Sequence, residues 1–305
     1  MTVVLLHLSD IHFRANKPNW VADKAEHIAK CTYASLADAV AIFVVVSGDI
    51  GFSGLAAEYR IARQFLEALK AEILKERQVP LHFVFAPGNH DCNFQNDSQA
   101  RRGVLESARN DIQRLEDDSI VELASIVQQE YRAFEEQLLS AGETRVGDRL
   151  WTSHRFTVGG REIVFDSINV SWCSSLNEEQ GAIIFPVERY RAKLNEVADL
   201  RIAIIHHPLN WFAQTVYHGF RILVRSVANV VVSGHEHVGG VGEDLNSDSG
   251  HSAYLEGCVL QREHDGSDSS FNIAVLNLED QTYLSTRYMW SDDYYGMAAE
   301  GSWEG

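Results

Sequence analysis

Short apolar runs rich in β-branched residues recur at Val3 to Leu6, Ile42 to Val46, Leu81 to Phe85, Glu162 to Phe165, Ile202 to Ile205 and Val230 to Val232, each bounded by Gly, Ser, Asp or Pro. Runs of that length with that punctuation read as buried strands. Between the first three lie stretches at helical spacing: Val21, Ala25, Ile28, Thr32 and Leu36, then Leu55, Tyr59, Ala62, Leu66, Leu69 and Ile73. Strand alternating with helix predicts an α/β fold with a parallel sheet, its functional groups gathered at the carboxyl ends of the strands.

Residues 95–142 break this rhythm with helix only. Ser119 with Glu122 has the form of a capping box, Ile120, Leu123, Val127, Tyr131, Phe134 and Leu138 follow on one face, and Gly142 closes the run. The stretch reads as a helical insert beside the sheet. Beyond Gly234 the runs shorten to Ala253–Leu260, Phe271–Leu276 and Tyr283–Met289, as in antiparallel sheet. One domain is expected over residues 1–290. Residues 291–305, "SDDYYGMAAEGSWEG", lack periodicity and read as a flexible acidic tail or the start of a linker to downstream domains of a longer chain.

Composition narrows the partners. With 305 residues, 45% of them hydrophobic, the chain can bury a large core, which argues against extended disorder. The formal charge of −17, from 43 acidic and 26 basic residues, repels nucleic acid and anionic membranes on average, so a phosphate-bearing substrate needs a local source of positive charge. No Lys/Arg cluster is longer than Arg101-Arg102, which disfavours a processive nuclease without ruling out nucleic acid presented by a partner domain. Cys31, Cys92, Cys173 and Cys258 show no C-x-x-C spacing and suggest free thiols in a reducing, cytoplasmic setting. "MTVVLLHLSD" has no basic leader region, and nothing reaches the roughly 18 apolar residues of a membrane span.

The chemistry sits in the punctuation. Asp10 and His12 follow the first strand, Asp49 the second, and Asn89, His90 and Asp91 the third; later strands end in His206-His207 and in His235 and His237. A parallel sheet makes such groups neighbours in space. Imidazoles, carboxylates and an amide oxygen without Cys suit a first-row divalent ion, and they are too many for one ion. Two ions about 3.5–4 Å apart and sharing a carboxylate would use them all. A lone histidine such as His7, His82, His154 or His251 is more often a hydrogen-bonded structural residue.

The ordered series D-x-H, G-D, G-N-H-D, H and G-H-x-H, spanning residues 10 to 237, resembles the calcineurin-like metallophosphoesterase superfamily. The resemblance implies a four-layer αββα sandwich and a hydrolase holding two divalent metal ions, with manganese first in line and iron, zinc, nickel or cobalt as alternatives. Carried over by motif, Asp10, His12 and His237 would hold one ion, Asn89, His206 and His235 the other, and Asp49 would bridge them. His206 is preferred to His207 because one residue stands between it and Pro208. His90 would protonate the leaving oxygen, with Asp91 orienting its ring.

"GDIGFSG" and "GNHD" lack the arginine and glutamate typical of the phosphoprotein phosphatases of that superfamily, so the resemblance points to its phosphodiesterase and nuclease branches. A small phosphodiester or a nucleotide is the expected substrate. Arg14 could meet a phosphate oxygen, and His207, Trp211 and Tyr217 stand where a base could pack. Three other readings keep a place: a metal-dependent nuclease acting as the catalytic module of a larger protein; an inactive scaffold of the same fold, which would have lost ligands that this chain retains; and a metal-dependent oxidoreductase or peptidase, two-metal peptidases being richer in carboxylates.

Overall fold

The protein is described by a computed structural model over residues 1–138, 142–237, 239–246, 250–262 and 267–304. In chain order its strands are β1 (Thr2–Leu8), β2 (Ala39–Val46), β3 (Leu81–Phe85), β4 (Thr144–Gly147), β5 (Trp151–Val158), β6 (Arg161–Ile168), β7 (Leu200–Ile204), β8 (Val230–Ser233), β9 (Gly240–Asn246), β10 (Gly250–Glu256), β11 (Ser270–Asn277), β12 (Thr282–Ser291) and β13 (Tyr294–Glu304). The helices are α1 (Ala25–Thr32), α2 (Ala56–Glu76), α3 (Gln99–Asn110), α4 (Asp118–Ala124), α5 (Gln129–Gln137) and α6 (Gln214–Val227).

These strands form two mixed sheets, one ordered β13-β12-β11-β1-β2-β3 and the other β4-β5-β6-β7-β8-β10-β9. Period-2 alternation decides which side chains face which layer. In β1 and β2, Val3, Leu5, Ala41, Phe43 and Val45 point to a core shared with Phe156, Phe165, Ile202, Ile204 and Val232 of the other sheet. Their alternates, Val4, Leu6, Ile42, Val44 and Val46, meet α1, α2 and α5 through Ile28, Phe65, Leu66, Leu69 and Tyr131. On the far side, Trp151, Ile168, Ala203 and Ile205 pack under α3, α4 and α6 through Leu105, Val121, Phe220 and Leu223. Helix, sheet, sheet, helix is the expected four-layer sandwich, and strands buried on both faces explain the near-continuous apolar runs.

Several local expectations change. Asp117, not Ser119, caps α4, its carboxylate accepting from Ser119 N at 2.9 Å; an acceptor two residues earlier starts the helix before a serine cap could. The predicted amphipathic run divides into α4 and α5 at buried Ser125, whose hydroxyl donates to Val121 O (2.8 Å). The segment expected to be a flexible tail forms an antiparallel edge strand, β13, on β12. Tyr295 explains it: the ring is buried against Phe271 and Trp290, and its hydroxyl lies 2.6 Å from Ser269 Oγ. Among the described residues no helix is long and apolar enough to cross a membrane.

Candidate metal centre

The loops after β1, β2, β3, β7 and β8 all leave the same edge of the two sheets, and backbone hydrogen bonds zip the first two together. Asp10 N donates to Gly48 O (3.1 Å), Ile11 N and His12 N to Asp49 O (2.9 Å each), and Phe13 N to Ile50 O (2.9 Å). The chain is wound tightly there. Of the seven described non-glycine residues in the left-handed region, five are Asp10 (φ 52°), His12 (53°), Asp49 (55°), His235 (73°) and His237 (60°). Such conformations cost L residues energy and persist where surrounding structure holds them, as it does at functional sites.

Two glycines make the approach possible. A Cβ on Gly88 would sit 2.0 Å from Asp49 Oδ1, and one on Gly48, which itself has φ of +102°, would sit 2.4 Å from His206 Nδ1. What reads in the sequence as ordinary strand-ending glycine is a steric requirement of the site.

The strand-end side chains converge. His12 Nε2 lies 3.3 Å and His206 Nε2 3.2 Å from the same Asp49 oxygen, Oδ2. Around His206 Nε2 stand Asn89 Oδ1 (3.1 Å) and His235 Nδ1 (3.3 Å); on the other side His237 Nε2 faces Asp10 Oδ1 (3.1 Å). Asp49 Oδ1 is turned away and accepts from His90 N at 2.8 Å, which sets the carboxylate plane. His206 Nδ1 donates to Ser47 O (2.7 Å) and His12 Nδ1 lies 3.3 Å from Gln261 O, so both rings present Nε2 to the cluster.

The electrostatics ask for positive charge. Burial works against a charged His206, but the charge and hydrogen bond of Asp49 and the charge of Asp10 outweigh it and lift the imidazole to about 10. Burial likewise works against ionised Asp49, and the His206 and His12 rings outweigh it, holding the carboxyl well below its usual range. His235 is pushed down, first by burial and then by its His206 and His207 neighbours. Imidazole nitrogens 3.3 Å apart, as in His206 and His235, can share at most one proton, and that geometry suits a cation ligated by both. The donor set therefore fits divalent metal, in two clusters joined at Asp49 Oδ2.

His90 sits beside this set, its ring edge-on to His12 at 4.8 Å between centroids. Its expected partner is different. Asp91 turns away from the ring and accepts from Ile50 N (3.1 Å), Gly51 N (3.0 Å), Gly88 N (2.9 Å) and Tyr59 OH (3.0 Å), because three unpaired amides of the loops need an acceptor there. Burial and the Asp49 charge push the Asp91 carboxyl up to about 6 against those amides. Phe52 O holds the His90 ring instead, accepting from Nδ1 at 2.7 Å.

His207 has both nitrogens engaged, Nε2 with Glu178 Oε2 (3.0 Å) and Nδ1 with Ser171 Oγ (3.4 Å). Trp211 stands edge-on to His235 with ring centroids 4.3 Å apart, its indole N–H donating to Glu236 Oε1 (2.9 Å). Arg14 stacks its guanidinium 3.9 Å from the Phe52 ring centroid, at the lip of the site. Tyr217 lies on α6, where its hydroxyl meets Arg221 Nη1 (3.4 Å). Sequence reasoning missed Phe52, Ser47 and Gln261, which act through backbone carbonyls that no side-chain motif displays; it also missed Glu178 and Arg262, whose Nη2 lies 3.0 Å from His237 Nδ1.

Two imidazole-carboxylate clusters sharing one oxygen, at the strand ends of a four-layer sandwich, make the class that of the metallophosphoesterase fold. The sequence model of calcineurin-like phosphoesterases matches residues 3–239, and the chain belongs to that family. Membership implies phosphoester hydrolysis assisted by two divalent metals. Among solved structures the chain is similar to PhoD (TM-score 0.58, 10% identity, 99% of this chain and 70% of that one). It is also similar to the purple acid phosphatase PPD1 from yellow lupin seeds (0.54, 12%, 99% and 53%). A dimetal phosphatase from Danio rerio aligns over 98% of both chains at 12% identity with a TM-score of 0.49. At such identities the likeness is one of fold alone. No curated protein matches the sequence.

Proposed function

We propose that the protein is a dinuclear-metal phosphoesterase whose preferred substrate is a small phosphodiester or a nucleotide. The observation that carries this reading is Asp49 Oδ2 within 3.3 Å of both His12 Nε2 and His206 Nε2, one carboxylate oxygen common to two ligand clusters. Asp10, His12 and His237 would hold one ion and Asn89, His206 and His235 the other. His206 takes the ligand role because Ser47 O orients it inward, whereas His207 is committed to Glu178 and Ser171. Bound there, two divalent cations supply Lewis acidity toward phosphoryl oxygens and lower the pKa of water. Manganese is the first metal to supply, and four unbridged cysteines agree with a reducing, cytoplasmic setting.

The chain's own groups do the rest. Phe52 O, by accepting from Nδ1, leaves His90 Nε2 free to face the cleft, the nitrogen from which a proton would pass to a leaving alkoxide. Asp49 anchors the His90 backbone with one oxygen while its other faces the ligand clusters, so His90 keeps a constant spacing from the side chains that would hold the metals. Arg14 at the lip is placed to meet a phosphoryl oxygen.

The test is a panel of cyclic nucleotides, phosphomonoesters, nucleotide pyrophosphates, bis(p-nitrophenyl) phosphate and single- and double-stranded DNA on manganese-loaded wild type and three variants. Asp49→Asn and His235→Ala are expected to lose metal and activity together. His90→Ala is expected to keep metal and to slow by about 10²–10⁴-fold, most for poor leaving groups. Wild type inert toward the whole panel would refute the reading, and activity on DNA alone would replace the small-diester preference with a nuclease.

A further inference from the structure

Beside the metal centre lies a recess of about 440 Å³, walled by Arg109 of α3, by Ser174, Ser175, Asn177 and Glu178 of the segment after β6, and by Trp211. Its volume falls within the roughly 300–1,000 Å³ usual for ligand sites. Two of its walls also touch the ligand shell: Trp211 meets His235 edge-on at 4.3 Å, and Glu178 accepts from His207, whose ring is 4.3 Å from that of His235. An ester group on a phosphorus seated at the metals is therefore within reach of it.

The recess is held open by bonds that owe nothing to a ligand. Trp211 O accepts from Gly181 N (3.0 Å) and Ile183 N (3.2 Å), and Ile183 O accepts from Ala213 N (2.8 Å). On the other wall, buried Arg101 donates to Trp172 O (3.1 Å) and Ser174 O (2.9 Å), tying the insert to the segment that carries Glu178. Glu236 fixes the indole N–H of Trp211, so the ring cannot swing out without losing that bond. A phosphoester of a small alcohol would leave this cavity empty. Its lining matches a flat, neutral group with several hydrogen-bonding edges: hydroxyls, an amide and a carboxylate to be read by donors and acceptors, and an indole for a heterocycle to pack on. Against the single guanidinium of Arg109 the walls set the carboxylates of Glu178 and Glu179, so the recess lacks the net positive charge that would hold a second phosphate.

Building on the phosphodiester reading above, we infer that this recess is the subsite for a nucleoside esterified to the scissile phosphate, with the base against Trp211 and its polar edge read by Asn177 and the two serines. The experiment compares two diesters with the same leaving group, thymidine 5′-(p-nitrophenyl phosphate) and methyl p-nitrophenyl phosphate, on the manganese-loaded protein. In parallel, on protein loaded with diamagnetic zinc instead, the indole N–H resonance of Trp211, assigned by its loss in Trp211→Phe, is followed while each of the four common nucleoside 5′-monophosphates is added. The expected results are a wild-type kcat/KM at least tenfold higher for the thymidine diester, a fall in that ratio of at least fivefold in Asn177→Ala, and a saturable shift of the Trp211 signal. Asn177 is exposed, so its replacement leaves the core intact. A ratio near one in wild type, or a ratio unchanged in Asn177→Ala together with no Trp211 shift, overturns the subsite. If neither diester turns over while a nucleotide still shifts Trp211 in wild type and not in Asn177→Ala, the hydrolase reading fails and the nucleoside site stands.

Discussion

Replacing Gly88 with alanine tests the site through a single methyl group. A Cβ there lies 2.0 Å from Asp49 Oδ1 and 2.5 Å from Asp49 N, so the carboxylate oxygen would have to retreat to about 3.4 Å, and the backbone amide cannot retreat without moving the loop. That retreat breaks the His90 N to Asp49 Oδ1 bond of 2.8 Å and rotates Oδ2 away from His12 and His206 together. Overpacking of this kind costs about 1–3 kcal/mol of stability, and misplacing a reacting group by about 1 Å costs on the order of 10² in rate. Gly88→Ala is therefore expected to fold, to keep fewer than two metal ions per chain after gel filtration, and to lose about 100-fold or more in kcat/KM on bis(p-nitrophenyl) phosphate. Gly103→Ala is the control: it lies in α3 with nothing within 4 Å of the new methyl, and there alanine should add about 0.5–1 kcal/mol of stability by helix propensity. Two tightly held ions and activity within threefold of wild type in Gly88→Ala would refute the argument that Asp49 joins the clusters.

Other perturbations read other parts of the molecule. Burial, opposed only in part by the Asp10 charge, pushes the His7 imidazole down to about 3; because the unfolded chain binds its proton near 6.5, stability must fall as pH drops below that value, by about 2 kcal/mol between pH 7 and 5. Urea unfolding at both pH values checks it, and His7→Gln should lose that share of the acid sensitivity; equal slopes in the two proteins would contradict the assignment. Asp91→Asn turns an NH2 onto the amide of Gly51 or of Gly88, whichever oxygen it replaces, which should cost about 1–3 kcal/mol in chemical denaturation; unchanged stability would mean that these bonds are not what the carboxylate is for. Arg101→Met removes a fully buried guanidinium that joins Ala124 O, Trp172 O, Ser174 O and Asp97, with an expected loss of about 3–5 kcal/mol, and a loss below about 1 kcal/mol would show those bonds to be replaceable by packing.

What could be read from residue order was whatever a strand end displays. Asp10, Asp49, Asn89 and His235 each follow an apolar run and a turn residue, and parallel pairing of β1, β2 and β3 brings the first of them together with few assumptions. The zip from His12 N to Asp49 O and the grip of Phe52 O on His90 use main-chain atoms, which every residue has, so no letter in the chain announces them. Asp91 misled for a related reason: adjacency to His90 in sequence suggests contact, but consecutive side chains in a tight turn point apart, and three amides claimed the carboxylate first. The strand β13 was hidden because its packing rests largely on Tyr295 and its turn on Asp292, at φ 55°, in a stretch whose glycines and acids mimic a linker.

The five left-handed residues have a consequence for how such a protein changes over generations. At about 1–2 kcal/mol each for a backbone that L side chains resist, they hold back an amount comparable to the 5–15 kcal/mol by which a whole domain outlasts its unfolded chain. Glycine or asparagine at those points would relax the turns and harden the fold while abolishing ligation. Sturdiness and chemistry thus pull in opposite directions at the same handful of codons, and a copy released from hydrolytic duty would drift toward a tougher, silent scaffold by the easiest substitutions available to it.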